Sequence, residues 1–403
     1  MQIRQGPWVA LAPALFVGAV LLPTAVMGQV TLGVLTPRVE KAAGKPAEGF
    51  YVTPSLSVGE LYDDNLFFSP TDRKQDFFTR VSPGLQAGYQ STPLTLLGGY
   101  TFDSEFYSKH QELNTVQMRQ QSLIELKTMP TRPLTLSARG TYAKTRAPWE
   151  LNTSTGTAIR RVIAERLAFN PSAAYQFDPL TRATGDYTFS DDSIKGGIRI
   201  DSHILRLDLD RQLMPSDSVG PGYIGRRFEF GGFSTTTSHA FTLGGRHRFT
   251  PVTTLTVRAG PRVTGGSLDD QPEALVSLYH QLTRGTLSLT YSNVLTTIIG
   301  QPGTVTTESL GGSATYELLP YFLITLAPAV IKVTGETFTS RMYFSNVELS
   351  YQLTKSLALK GSSQFSLMRG NFNPLTGPGG GEVEIYHNMV WLRLVATYPS
   401  RLE

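Results

Sequence analysis

The sequence predicts an all-β chain folded as a transmembrane, antiparallel, up-and-down β-barrel of about 18 strands, with about 16 as the alternative count. Three observations point there. Apolar and polar residues alternate with period two over many segments, one turn motif recurs along the chain, and longer polar loops alternate with those turns.

The alternation is clearest from Val81 to Phe102. Val81, Pro83, Leu85, Ala87 and Tyr89 share one face, and Ser82, Gly84, Gln86 and Gly88 share the other. After Gln90-Ser91-Thr92-Pro93, the apolar face resumes with Leu94, Leu96, Gly98, Tyr100 and Phe102. Side chains of a strand point alternately to its two sides, so this is a hairpin with one apolar and one polar face.

The turn has relatives at Pro130 to Leu136, Thr250 to Val257, Leu282 to Leu289 and Leu353 to Leu359. Looser versions stand at Phe177 to Thr181, Leu319 to Phe322 and Met214 to Asp217. The turns number roughly eight, about 37 residues apart, a period that would also suit a solenoid or a propeller. The loops decide between these. Asp63 to Asp76, Ser108 to Asn114, Thr145 to Arg160, Asp191 to Gly197, Ser267 to Pro272, Gly300 to Val305, Gly335 to Ser340 and Arg369 to Glu382 fall between the tight turns. Short turns on one rim and long loops on the other are the asymmetry of an outer-membrane barrel. The stretch from Leu213 to Ser238 does not parse cleanly, which leaves the strand count open.

An apolar strand face can look to lipid or into the core of a soluble sandwich, and the repeated hairpins of one length favour closure into a barrel. Then the polar face must line the lumen, because Arg or Lys on lipid at mid-depth costs about 2–4 kcal/mol. This makes Arg139, Arg206, Asp208, Asp210, Arg246, Arg248, Arg258, Arg262, Glu317, Lys360 and Arg393 the candidate pore-lining residues, with Asp186 and Glu348. Arg246/Arg248 and Arg258/Arg262 fall on adjacent strands, and Arg ladders tune pores toward anions. The plainer reading is a set of Arg–acid pairs that brace the wall. Tyr and Phe near strand ends, such as Tyr89, Phe102 and Tyr351, suit interfacial girdles, or simply follow β-propensity.

Residues 1–28 read as a secretory signal peptide, with Arg4 in the basic n-region, Trp8 to Leu22 apolar, and cleavage before Gln29; an uncleaved anchor is the alternative. Residues 29–49 read as a flexible periplasmic segment and 50–403 as the barrel. The 403-residue chain has no Cys, which excludes a disulfide framework, and its net charge of +4 is diffuse. With no basic-aromatic platform, nucleic acid is not an expected partner. The expected partners are outer-membrane lipid, a polysaccharide or small hydrophilic solute, and the barrel-assembly machinery. The last of these would act through Val390 to Tyr398, whose Leu392, Leu394, Ala396 and Tyr398 form an apolar face ending in an aromatic.

No cofactor, metal or catalytic residue is predicted. Gly220-Pro221-Gly222-Tyr223-Ile224-Gly225 matches a dinucleotide-binding pattern but lacks the helix that must follow, so it reads as a loop or turn. Asp63-Asp64-Asn65 could offer oxygens to Ca²⁺, but such residues also start turns unaided. The six His are scattered. A catalytic site assembled across strands is the residual enzymatic alternative.

Thr53-Pro54-Ser55-Leu56-Ser57-Val58, Tyr62-Asp63-Asp64-Asn65-Leu66, Asp76-Phe77 and Val81-Ser82-Pro83-Gly84-Leu85 together resemble the opening of the beta-barrel porin 2 family. The resemblance covers the first two strands. It implies a bacterial outer-membrane barrel, often linked to exopolysaccharide systems. The expectation from sequence is therefore a porin-like conduit, with a non-conducting structural or surface-display barrel as the alternative.

Overall fold

The computed structural model describes residues 48–157, 160–373, 377–398 and 400–402. The proposed signal peptide and nearly all of the segment after it lie outside the described residues.

The strands are β1 Gly49–Asp63, β2 Asp76–Gln90, β3 Leu94–Tyr107, β4 Thr115–Thr131, β5 Leu134–Thr145, β6 Ala164–Asp178, β7 Thr181–Ile194, β8 Ile200–Met214 and β9 Asp217–Phe230. They continue with β10 Ser234–Thr250, β11 Thr253–Gly260 extended by Arg262–Thr264, β12 Glu273–Leu282, β13 Gly285–Thr297, β14 Thr304–Leu319, β15 Phe322–Thr334, β16 Thr339–Thr354, β17 Leu357–Asn373 and β18 Gly377–Thr397. Twenty-one hydrogen-bonded segments thus make 18 staves, because Arg262–Thr264, Ser267–Leu268 and Ser400–Leu402 only extend longer neighbours. Each strand pairs antiparallel with the next. β1 then closes on β18, from Ser55↔Thr397 to Asp63↔Met389, with Phe50↔Leu402 below. Closure leaves no edge along the seam.

The eight turns expected from sequence form one rim, and nine connections form the other. Several short turns share a device. The side-chain amides of Gln176, Gln281 and Gln352 each donate to two backbone carbonyls of the adjoining turn. At Gln176 and Gln352 the register also shifts by one residue just before the turn. A bulge of this kind tightens the local twist and helps the chain reverse. The difficult stretch resolves as β8, the Pro215-Ser216 turn, β9, a three-residue connection and β10. Gly220 to Gly225 is therefore strand, not a loop.

The outer face is apolar. Leu85 on β2, Leu96 and Tyr100 on β3, Leu205 and Leu207 on β8, Phe241 and Leu243 on β10, and Leu392 and Leu394 on β18 are all exposed. Their alternates point inward, and in a closed barrel that direction has room only for side chains, folded-in loops or water.

The buried apolar core sits in the long-loop end of the lumen, not between sheets. Leu66 and Phe68 from the β1–β2 loop, Trp149 from the β5–β6 loop and Ile298 from the β13–β14 loop pack with inward residues including Phe78, Ile331, Met342 and Met389. The β13–β14 hairpin shows why the loops turn in. β12 pairs with β13 only as far as Ala274↔Asn293, so Val294–Thr297 have no partner on that side. The freed tip leans over the lumen and buries both faces. Leu295 packs on Ile200, Phe228 and Phe230, while Val305 and Ile298 join the mouth cluster. Ile198 and Gly300 form a β-bridge between the β7–β8 and β13–β14 loops, and the Ile299 N–H donates to Asn152 at 3.0 Å.

Candidate functional site

The inner wall is polar because every second residue of an outward-apolar strand is free to be so. All eleven candidate pore-lining residues alternate with the exposed apolar set and so face inward, but they fall into different surroundings.

Arg258 on β11 lies flat along the wall. It reaches Asp208 on β8 at 2.6 Å and Asp210 at 3.9 Å, and donates to Thr242 at 3.3 Å. Two strands stand between. The path is open because Gly244 and Gly222 lie beneath it. A Cβ on Gly244 would stand 2.8 Å from the guanidinium carbon, and one on Gly222 would stand 2.1 Å from Arg258 Nη1 and 2.4 Å from Asp208 Oδ1. Arg262, only 1% exposed, is higher in the mouth, bound to Asp269 and 3.4 Å from Glu273, which also meets Arg226 at 2.5 Å. Arg206 is buried on β8. The set Arg246, Arg248, Arg258 and Arg262 is thus divided. Arg246 and Arg248 are exposed toward the short-turn rim, while Arg258 and Arg262 are paired with acids. Arg139 stands 3.5 Å from Glu125. Glu317 accepts from the Tyr321 N–H at the turn.

On the opposite wall, Arg80 meets Glu105 at 2.6 Å, and Arg119 bridges Asp103 and Glu150, the latter at 3.1 Å. Arg161 reaches down from the β5–β6 loop to Glu105 at 3.4 Å. These residues escaped the sequence reading. Arg80, Asp103, Glu105 and Arg119 have the right alternation, but Glu150 and Arg161 lie in a loop with no period to read.

Below the apolar septum lies a cavity of about 540 Å³. Its lining runs from Thr53 and Thr397 near the short-turn rim up to Leu61 and Met389, which belong to the septum. Lys360 and Arg393 border it, with Trp391, Asn346, Ser362 and Gln364.

The Tyr62-Asp63-Asp64-Asn65 segment holds the mouth. Asp63 is 3.0 Å from His387 Nε2 on β18, and Asp64 accepts from the Asn388 backbone and side-chain amides, each at 2.6 Å. Asn65 donates to the carbonyls of Ser69 and Tyr386 and accepts from the Ser69 N–H. These oxygens are committed to the seam. Among the described residues, no group of three or more His, Cys, Asp or Glu could hold a metal ion. Nearby, Asp76 accepts from the backbone N–H groups of Phe77, Lys109 and His110. Burial pushes the Asp76 carboxyl up, but these donors and the His110 ring outweigh it and hold the group below the usual carboxylate range.

The fold and this lumen define a closed, 18-stranded, antiparallel barrel with an apolar exterior, a polar interior and a capped mouth. No family model and no curated protein matches the chain. Similar solved structures include OccAB4 of Acinetobacter baumannii, with 12% identity, covering 88% of this chain and 99% of that one, at a TM-score of 0.46. The siderophore receptor PirA of Pseudomonas aeruginosa has 8% identity, with 88% and 81% covered and a TM-score of 0.42. A variant of the ferric enterobactin receptor PfeA from the same organism, in complex with enterobactin, has 9% identity, with 88% and 82% covered and a TM-score of 0.44. Likeness at these scores transfers neither substrate nor activity.

Proposed function

We propose that the chain is an outer-membrane conduit for hydrophilic solutes or glycans, closed in this conformation by the septum at its long-loop mouth. The observation that carries this reading is the combination of an exposed apolar outer face with a polar, charge-lined inner face around one closed sheet. Closure leaves no open sheet edge between the first and last staves, which hydrocarbon demands. In water, an apolar belt of this extent would drive association. Barrels of about this strand number leave an aqueous channel. Residues 1–28 would provide the export signal, and Val390 to Tyr398 the strand presented to the assembly machinery. A link to exopolysaccharide export rests only on the likeness of the first two strands to the porin 2 family. The inward charges then serve as wall braces and as the electrostatic lining of the path, with no chemistry assigned to them.

One observation favours a second reading. Ile298, Ile299, Leu66 and Phe68 block the mouth with apolar side chains, which suits a non-conducting structural barrel. Single-channel recording in planar bilayers separates the two. A conduit gives discrete openings, whereas a structural barrel stays silent even after the septum is loosened by mutation.

A further inference from the structure

The cavity beneath the septum has the makings of a ligand site, in an interior whose other charges are mostly spent on each other. Four cations line it, Arg80, Arg119, Lys360 and Arg393, against three carboxylates, Asp103, Glu150 and Glu348. Arg80 and Arg119 are held by acids at short range. Arg393 is different. Its guanidinium lies over the Trp391 ring, 4.3 Å from the centroid, its Nε is buried without a partner, and no carboxylate of the described residues stands within ion-pair distance. Stacking fixes the plane of the guanidinium, so little entropy remains to be lost when it binds a planar anion.

Lys360 is the cross-strand neighbour of Arg393, and Glu348 faces the same cavity; toward the septum the groups are uncharged donors and acceptors. Gln364 is 4% exposed, and its Nε2 donates to nothing. Ser362 donates to Asn346 Oδ1 at 2.8 Å, which fixes that amide with its nitrogen still available. A buried polar atom without a partner is costly to fold around, and a ligand that supplies the partner recovers that cost. A single well-oriented cation calls for one carboxylate; buried amides and hydroxyls call for a ligand rich in hydroxyls. The volume suits one or two sugar rings.

We propose that this cavity binds a polyhydroxylated carboxylate, a sugar acid of one or two rings, with its carboxylate on Arg393 and its hydroxyls on Gln364 and Asn346. This rests on the reading of the barrel as a conduit and names the solute that would dwell beneath its septum.

The test is calorimetric titration of the full mature barrel in detergent micelles with D-glucuronate and, separately, D-glucose. Glucuronate should bind and glucose should not. Arg393→Gln should weaken glucuronate by about tenfold or more, as expected for loss of a charge-assisted bidentate contact, and Arg393→Lys should restore part of it. Arg227→Gln, on the outer surface, should change nothing. Heat-modifiable migration of each variant reports folding, and if Arg393→Gln does not fold, Gln364→Leu takes its place with the same expectation. Equal binding of both sugars, binding of neither, or glucuronate binding indifferent to these substitutions overturns the site. Conductance is read independently. A conducting barrel that ignores glucuronate refutes the site and keeps the conduit, whereas a silent barrel that binds it keeps the site and refutes the conduit.

Discussion

Arg258 and Asp208 meet at 2.6 Å although β9 and β10 lie between their strands. The pair lies flush on the wall because Gly222 and Gly244 leave the space that side chains would fill. One glycine of the stretch that matched a dinucleotide pattern, Gly222, is thus, with Gly244, the floor of a groove for an arginine. Gly222→Ala places a methyl carbon within 2.4 Å of Asp208 Oδ1 and should push Arg258 off the wall. We expect a loss of about 1–3 kcal/mol, the cost of leaving buried charged groups poorly paired. Urea unfolding in lipid vesicles measures it; an Asp208→Asn background that leaves the Gly222→Ala cost unchanged would remove the pair from the explanation.

Asp63 and His387 join the first strand to the last. His387 is 1% exposed, packed against Phe68 with ring centroids 4.5 Å apart and the planes tilted by 40°, and its other ring nitrogen has no partner. Asp63→Ala therefore strips a buried ring of the one hydrogen bond it makes among the described residues, at a cost of about 1–3 kcal/mol. The variant should lose heat-modifiable migration at a lower temperature than the parent and admit protease near Ser69 to Lys74. Unchanged protection of that loop would mean that the seam does not hold it.

Asp76 makes the rim sensitive to acid. Its folded pKa lies below the ordinary value of 3.8, so the carboxylate form is favoured in the folded state. The stabilisation is present above the unfolded pKa and is lost as pH falls through the folded one. The Lys109 and His110 amide resonances should titrate together with a midpoint under 3.8 and stop titrating in Asp76→Asn. A midpoint at or above that value contradicts the assignment.

The septum should be a removable barrier. Ile298 and Ile299 are each 1% exposed at the tip of the β13–β14 hairpin. Ile298→Asp places a charge in the mouth cluster, where it can be solvated only if the tip swings out and admits water. Mean single-channel conductance and open probability should both rise. A variant that folds, shows the parental heat shift and remains closed would favour the structural barrel.

The outer face provides the test of the membrane itself. Leu243 is 63% exposed on β10. Leu243→Arg should destabilise the barrel in vesicles by about 2–4 kcal/mol if the position lies at mid-depth. A neutral or solubilising effect would be the behaviour of a barrel made for water.

Much of the wall was legible in the sequence. The eight turns, the outward set around Leu85, Leu243 and Leu392, and the inward set around Arg206 and Arg393 follow from a period of two residues, which the backbone enforces locally. The interior pairings were not. Which acid meets Arg258 depends on register across four strands and on two glycines that only matter once those strands lie side by side. Arg80 and Arg119 could have been found by extending the same alternation to β2 and β4. Glu150 and Arg161 sit in a loop, where no periodicity marks a direction.

By itself the sequence determined the class of wall, its two faces and the side on which its long loops lie, because strand geometry and the cost of exposing backbone groups leave few alternatives. Only the tertiary structure decided that the mouth is capped and that a polar chamber lies beneath. That outcome depends on β12 being too short to hold the β13–β14 tip in the wall, and on loops whose apolar residues, Leu66, Phe68, Trp149 and Ile298, bury themselves against one another across the lumen. Loop burial is set by contacts between residues distant in sequence, and no local pattern encodes them.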